Sequence, residues 1–118
     1  MLHREDLIRI RHMHDAGRQA LDFACGKSRA DLETDVMLVF AITRAIEIVG
    51  EAASKVTPEG RLQLPLIPWP QIVNMRNRLI HAYFDVDLDR VWDTIEMDLP
   101  ALAHMLEPIV GGLSENMD

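Results

Sequence analysis

The stretch 76–83, Arg-Asn-Arg-Leu-Ile-His-Ala-Tyr, gathers side chains that can act on a phosphate. The imidazole of His81 titrates near neutrality and can give or take a proton. The guanidinium of Arg76 can hold a phosphate at two points and neutralise charge that develops on it. Together they can promote attack of a ribose 2′-hydroxyl on the adjacent phosphate. That reaction cleaves RNA without a metal, leaves a 2′,3′-cyclic phosphate, and spares DNA, which lacks the hydroxyl. Asn77 can hydrogen-bond the ring or the substrate, and Arg78 adds a supporting cation. Spacing alone is thin evidence, because an arginine and a histidine five residues apart on a helix are ordinarily solvated surface.

The elements that must position these groups read as helices. Apolar residues from Leu7 to Ala24 recur at helical spacing, predicting a first helix over about 4–24 that stops near Gly26. A second is predicted over about 30–56, capped by Ser28 or Asp31. Its stripe is Leu32, Val36, Val39, Phe40, Thr43, Ile46, Gly50 and Ala53. A proline-rich loop follows over 57–70, and Pro70 suits the first turn of a third helix over about 69–84. Asp87 can cap a fourth helix through Leu88, Val91, Trp92, Ile95 and Leu99. Pro100 either kinks it or follows Asp98 into a fifth, which ends by Gly111 and Gly112. Nothing reads as a strand. The expected fold class is an all-α bundle of four to five helices, with residues 1–112 as the helical domain and 113–118 as a polar tail.

On a wheel of about 100° per residue, Ile72, Met75, Leu79 and Ala82 make the core stripe of the third helix. Val73 and Ile80 make a second apolar strip. Arg76 borders one edge of it, Asn77 and His81 the other, and Tyr83 stacks on the Arg76 side. An apolar strip rimmed by polar groups suggests a contact surface. In a two-fold dimer this strip meets itself, and Arg76 of one chain can approach His81 of the other. The expected site is therefore composite.

The bulk numbers set limits. The 118 residues fit one domain, and the net charge of −7 does not draw nucleic acid to the chain as a whole. A single cysteine, Cys25, precludes an internal disulfide and a multi-cysteine metal site, and fits a reduced, cytoplasmic setting. Neither a signal peptide nor a membrane-spanning run is visible.

The stretch 75–83 resembles the HEPN ribonuclease motif: Arg76, a polar residue, three more, His81, one residue, Tyr83. The tyrosine two after the histidine is similar to the HepT toxins of MNT–HEPN toxin–antitoxin modules. So are 44-RAIEIVGEA-52, Ile67-Pro68-Trp69, Val91-Trp92 and 98-DLPAL-102, in the same order along nearly the whole chain. The resemblance implies a HEPN-type helical homodimer whose two motifs line one cleft. It implies a metal-independent endoribonuclease with Arg76 and His81 essential; no cofactor is expected, and the net charge of −7 fits a narrowly chosen RNA substrate, tRNA or mRNA. It also implies a partner, a nucleotidyltransferase antitoxin of the MntA kind that transfers AMP to Tyr83. Phosphates added there would pair with Arg76 and fill the cleft with negative charge. The alternative is a non-catalytic HEPN dimer that binds such a partner or a nucleotide.

Other residues carry weaker signals. Arg44, Glu47 and Glu51 share a face of the second helix. They form either a solvated salt bridge or a support in which Glu47 or Glu51 orients Arg76 across the helix pair, where Gly50 allows close packing. His12 and His14 point to opposite sides of a helix and do not make a metal pair. Cys25 has no activating base beside it. Trp69 and Trp92 suit core or interface anchors.

Overall fold

The computed structural model of the chain describes residues 2–82 and 85–116. Helix α1 spans Arg4–Ala24, α2 Asp31–Thr34, α3 Val36–Ser54, α4 Pro58–Gln63 and α5 Trp69–Val73. A 3₁₀ turn over Arg76–Arg78 leads into strand β1, Ile80–Ala82, which pairs antiparallel with β2, Asp85–Val86. Helix α6, Leu88–Asp93, a π turn over Thr94–Asp98 and α7, Leu99–Asn116, then follow without a break. The architecture is the expected all-α, HEPN-type bundle, with a two-stranded ribbon added.

Helix α1 buries Ile10, Met13, Ala16, Ala20 and Ala24 along one face, mainly against α3 and also against α7. It ends at Gly26, whose φ of 75° suits a residue without a Cβ. Ile42, Ile46 and Val49 of α3 meet Leu99, Leu102 and Leu106 of α7 and Ile72, Met75 and Leu79 in one core. These last three belong to the predicted stripe; the side chain of its fourth member, Ala82, lies outside the described residues.

Several expectations about the elements need correction: the 57–70 loop contains helix α4, and the ribbon supplies two strands where none was expected. The second helix is broken at Asp35, whose side chain accepts from the Leu38 amide and caps α3 afresh. The break leaves Val36 and Phe40 63% and 65% exposed, so they lie outside the core stripe. The third helix does not reach residue 84. It tightens into the 3₁₀ turn and gives way to the ribbon, where Ile80 and Val86, residues of high strand propensity, are paired. The Asp87 amide closes the ribbon on the Leu79 carbonyl at 2.6 Å. Pro100 stands in the first turn of α7, which continues the chain from the π turn rather than from a fresh loop. Its ring would crowd the carbonyl of Glu96, and that residue lies inside the widened π turn. Gly111 and Gly112 do not end the helix; both lie within α7, which runs on to Asn116.

Polar ties hold the connecting segments. The buried Asp6 carboxylate accepts from the Thr57 amide at 2.9 Å and the Thr57 hydroxyl at 2.6 Å. Thr57 in turn caps α4 by accepting from the Gly60 amide at 3.1 Å. Arg61 donates to the carbonyls of Ala53 and Val56 at the end of α3, both at 3.2 Å, and lies over the Trp69 ring. Trp69 is buried and donates to the Leu64 carbonyl, which fixes the start of α5 and hence the approach to Arg76.

Candidate active site

Helices α3 and α5 meet at Gly50. A Cβ at Gly50 would stand 3.1 Å from the Val73 carbonyl oxygen and 3.4 Å from that of Ile72. The missing side chain lets the backbone of α5 lie directly on α3. This brings the following turn, with Arg76 and Asn77, alongside Glu47 and Glu51.

The contact made there is specific. Arg76 Nε donates to Glu47 Oε2 at 3.1 Å. The other oxygen of the same carboxylate accepts from Arg44 Nη1 at 2.5 Å, and Arg44 also reaches Glu51 Oε1 at 3.4 Å. The hydrogen bond to Glu47 is the chief cause that raises the Arg44 pKa above its usual value. Both sequence alternatives for these residues are thus present in the geometry: an intrahelical bridge to Arg44 and a cross-element bond to Arg76. Glu51 does only the first.

Arg76 and Glu47 stand where two clefts join. One, of about 380 Å³, is polar: Glu51, Ser54 and Asn77 line it together with Gly50 and Val73. The other, of about 640 Å³, is an apolar trough along Val36, Phe40, Ile80, Val86 and Leu88. Val73 and Ile80, expected on one strip, therefore face different clefts on either side of Arg76. Arg78 is not with Arg76. It lines a separate cavity of about 260 Å³ with Gln71 and Asp98.

The backbone of His81 belongs to β1, directly after Ile80. Its side chain lies outside the described residues, and so does Tyr83. Two readings drawn from the wheel lapse because the helix ends first: that Asn77 and His81 share a helical face, and that Tyr83 stacks above Arg76 by helical rise. The trough is what sequence reading missed. Its signal was the apolar pair Val36 and Phe40 just after a strong capping residue, Asp35.

The remaining titratable groups do not converge on a second site. Among the described residues no group of three or more His, Cys, Asp or Glu side chains can hold a metal ion. His14 Nε2 lies 2.7 Å from Glu107 Oε2, which ties α1 to α7, while His12 is exposed. No helix among the described residues is long and apolar enough to cross a membrane.

Comparison with known proteins bears on the chemistry. The family profile described as "Ribonuclease HepT-like" matches residues 13–109. The chain is 38% identical over 88 residues to a protein named "Probable ribonuclease HepT" from Thermococcus cleftensis, covering 75% of this chain and 72% of that one. It is 36% identical over 85 residues to one named "Putative RNase TTE0752" from Caldanaerobacter subterraneus, covering 72% and 76%. No solved structure is significantly similar to it. An all-α bundle with an arginine presented at a surface cleft accords with that match, and the chain belongs to the HepT-like ribonuclease family.

Proposed function

We propose that the chain is a metal-independent endoribonuclease, the toxin of a toxin–antitoxin pair, acting through Arg76 and His81 at a cleft between two copies. The observation that carries this reading is the Arg76–Glu47 bond at the junction of the two clefts. An arginine meant only for solvent has no need of a carboxylate from another element to fix its direction. Holding the guanidinium by Nε leaves its two terminal nitrogens to face a phosphate.

In this reading His81 takes the proton from the 2′-hydroxyl. The 2′-oxygen then bonds to phosphorus as the bond to the 5′-oxygen breaks. The products are a 2′,3′-cyclic phosphate and a 5′-hydroxyl, the latter receiving a proton. Arg76 stabilises the added negative charge on the phosphate oxygens. The exposed apolar trough beside Arg76 supports pairing of two copies, since burying Phe40 and Val36 would bring a second chain up to the arginine. His81 of that chain would then supply the proton transfer. AMP placed on Tyr83 by a nucleotidyltransferase antitoxin would silence the site by adding phosphate beside Arg76.

The test is cleavage of RNA by the purified chain in the presence of a chelator, repeated with Arg76→Ala and His81→Ala, and with the chain produced alongside its nucleotidyltransferase. The reading expects cleavage in chelator, its loss in both variants, and its loss together with AMP-sized mass increments on Tyr83. Full activity in both variants would reject it.

A further inference from the structure

We infer that the polar cleft beside Arg76 is a nucleobase subsite and that its chemistry selects guanine. The inference deepens the ribonuclease reading, on which it rests only for the position of the base next to the cut.

Gly50, which carries no side chain, and Val73 add apolar surface to the lining of the cleft. A ring can lie against it, as unstacked RNA bases lie on protein surfaces. The volume of about 380 Å³ leaves room for a purine. Of its polar side chains, Glu47, Glu51 and Ser54 offer acceptors, while Arg76 and Asn77 offer donors. Both oxygens of Glu47 are committed, one to each arginine. Glu51 is different: its Oε1 is held only loosely, 3.4 Å from Arg44, and the side chain is 57% exposed. Its carboxylate can therefore accept two parallel hydrogen bonds from a ligand. The Ser54 hydroxyl spends its proton on the Glu51 carbonyl at 2.6 Å and is left with lone pairs. Asn77, also in the lining, has a side-chain amide without a partner among the described residues.

A wall of this kind discriminates among the four bases. Guanine alone carries two adjacent donors on its pairing edge, N1–H and the 2-amino group, which match the two oxygens of a carboxylate. Adenine and cytosine put an acceptor nitrogen beside their amino group, and that nitrogen would face a carboxylate lone pair. Uracil flanks its single N–H with two carbonyls. The Asn77 amide can donate to O6 of guanine, and Arg76, which lines the same cleft, can hold the neighbouring phosphate. The carboxylates that make the chain acidic thus become the source of selectivity.

The test separates the base from the chemistry. Binding of GMP, IMP and UMP to the full-length chain is measured by calorimetry, for the wild type and for Glu51→Gln. IMP differs from GMP only in lacking the 2-amino group. GMP should bind about tenfold or more tightly than IMP or UMP, and Glu51→Gln should bring GMP down to the IMP level. Equal binding of GMP and IMP by the wild type, or a GMP preference that survives in Glu51→Gln, overturns the subsite. In parallel, cuts in unstructured RNA are mapped and should gather beside guanines in the wild type. Cleavage without any GMP preference would remove the subsite and leave the ribonuclease reading. GMP preference without any cleavage would do the reverse.

Discussion

Glu47 holds Arg76 across two elements: its Oε2 accepts from Arg76 Nε at 3.1 Å while its Oε1 accepts from Arg44 Nη1 at 2.5 Å. One carboxylate thus fixes the direction of the arginine that the proposed reaction needs, and Arg44 fixes the carboxylate. Glu47→Gln keeps the shape but gives up the charge and one acceptor oxygen. Cleavage of RNA should fall about ten- to a hundredfold, in kcat more than in KM, because a hydrogen bond to a charged group is lost. The melting temperature should hardly move, since the group sits at the surface. Kinetics and thermal unfolding of the same sample check this, and a drop in stability that matches the drop in rate would argue for a structural role.

Gly50→Ala should disturb both fold and activity. The added methyl meets two backbone oxygens that cannot swing aside, at 3.1 and 3.4 Å. Helix α5 must back away from α3 by a few tenths of an ångström, at a cost of about 1–3 kcal/mol. Thermal unfolding should come several degrees lower. Arg76 moves with α5, so activity should fall even at temperatures where the variant is fully folded. Gly111→Ala, with nothing within 4 Å of the new methyl, is the control and should be slightly stabilising.

Asp6 should set the acid limit of the fold. Burial opposes its charge, but the hydrogen bonds from the Thr57 hydroxyl and amide outweigh it, and its pKa lies below the ordinary 3.8. A carboxyl whose pKa is lowered by folding contributes stability above its unfolded value, and that contribution is lost as pH falls through the folded value. Urea unfolding should therefore show stability falling below about pH 4. Asp6→Asn should flatten that limb and lose about 1–3 kcal/mol near neutrality, because an amide cannot accept both Thr57 bonds equally well. Gly60→Ala should also destabilise, since its methyl would lie 2.5 Å from Asp6 Oδ2.

Phe40→Glu should separate assembly from folding. Phe40 is 65% exposed in the single chain and borders the trough beside Arg76, so its replacement costs the fold little. If a second copy covers the trough, the variant should sediment as a folded monomer and cleave no RNA. A variant that remains dimeric would move the interface elsewhere.

Much of the scaffold was legible in the sequence because it rests on local signals. Gly26 ends α1 as a left-handed glycine does, and Ile72, Met75 and Leu79 are buried as their spacing requires. Gly50 marks the close approach of two backbones. What was not legible depended on competition between local structures. Asp35 is a capping residue inside an apolar pattern that otherwise continues, and periodicity alone runs straight through it. After Met75 the residues suit a helix by pattern and a ribbon by propensity, and the pull of the Asp87 amide on Leu79 is a tertiary fact. For the site, Glu47 could be read as a partner of Arg44 or of Arg76, and only the packing of α5 on α3 reveals that it serves both. The wheel that set Arg76 against His81 assumed a helix the chain does not form there. Their proposed meeting now rests on the trough and on the family.

The most direct test of the composite ribonuclease site is complementation between inactive chains. Arg76→Ala and His81→Ala chains are purified separately, mixed in equal amounts, unfolded, refolded together and assayed on RNA in chelator. Each alone should be inactive. After mixing, about a quarter of wild-type activity should return, because half of the dimers are mixed and each mixed dimer keeps one of its two sites intact. Mixed dimers that form without any return of cleavage would contradict a site shared between chains. Wild-type activity in either chain alone would contradict the role of that residue altogether.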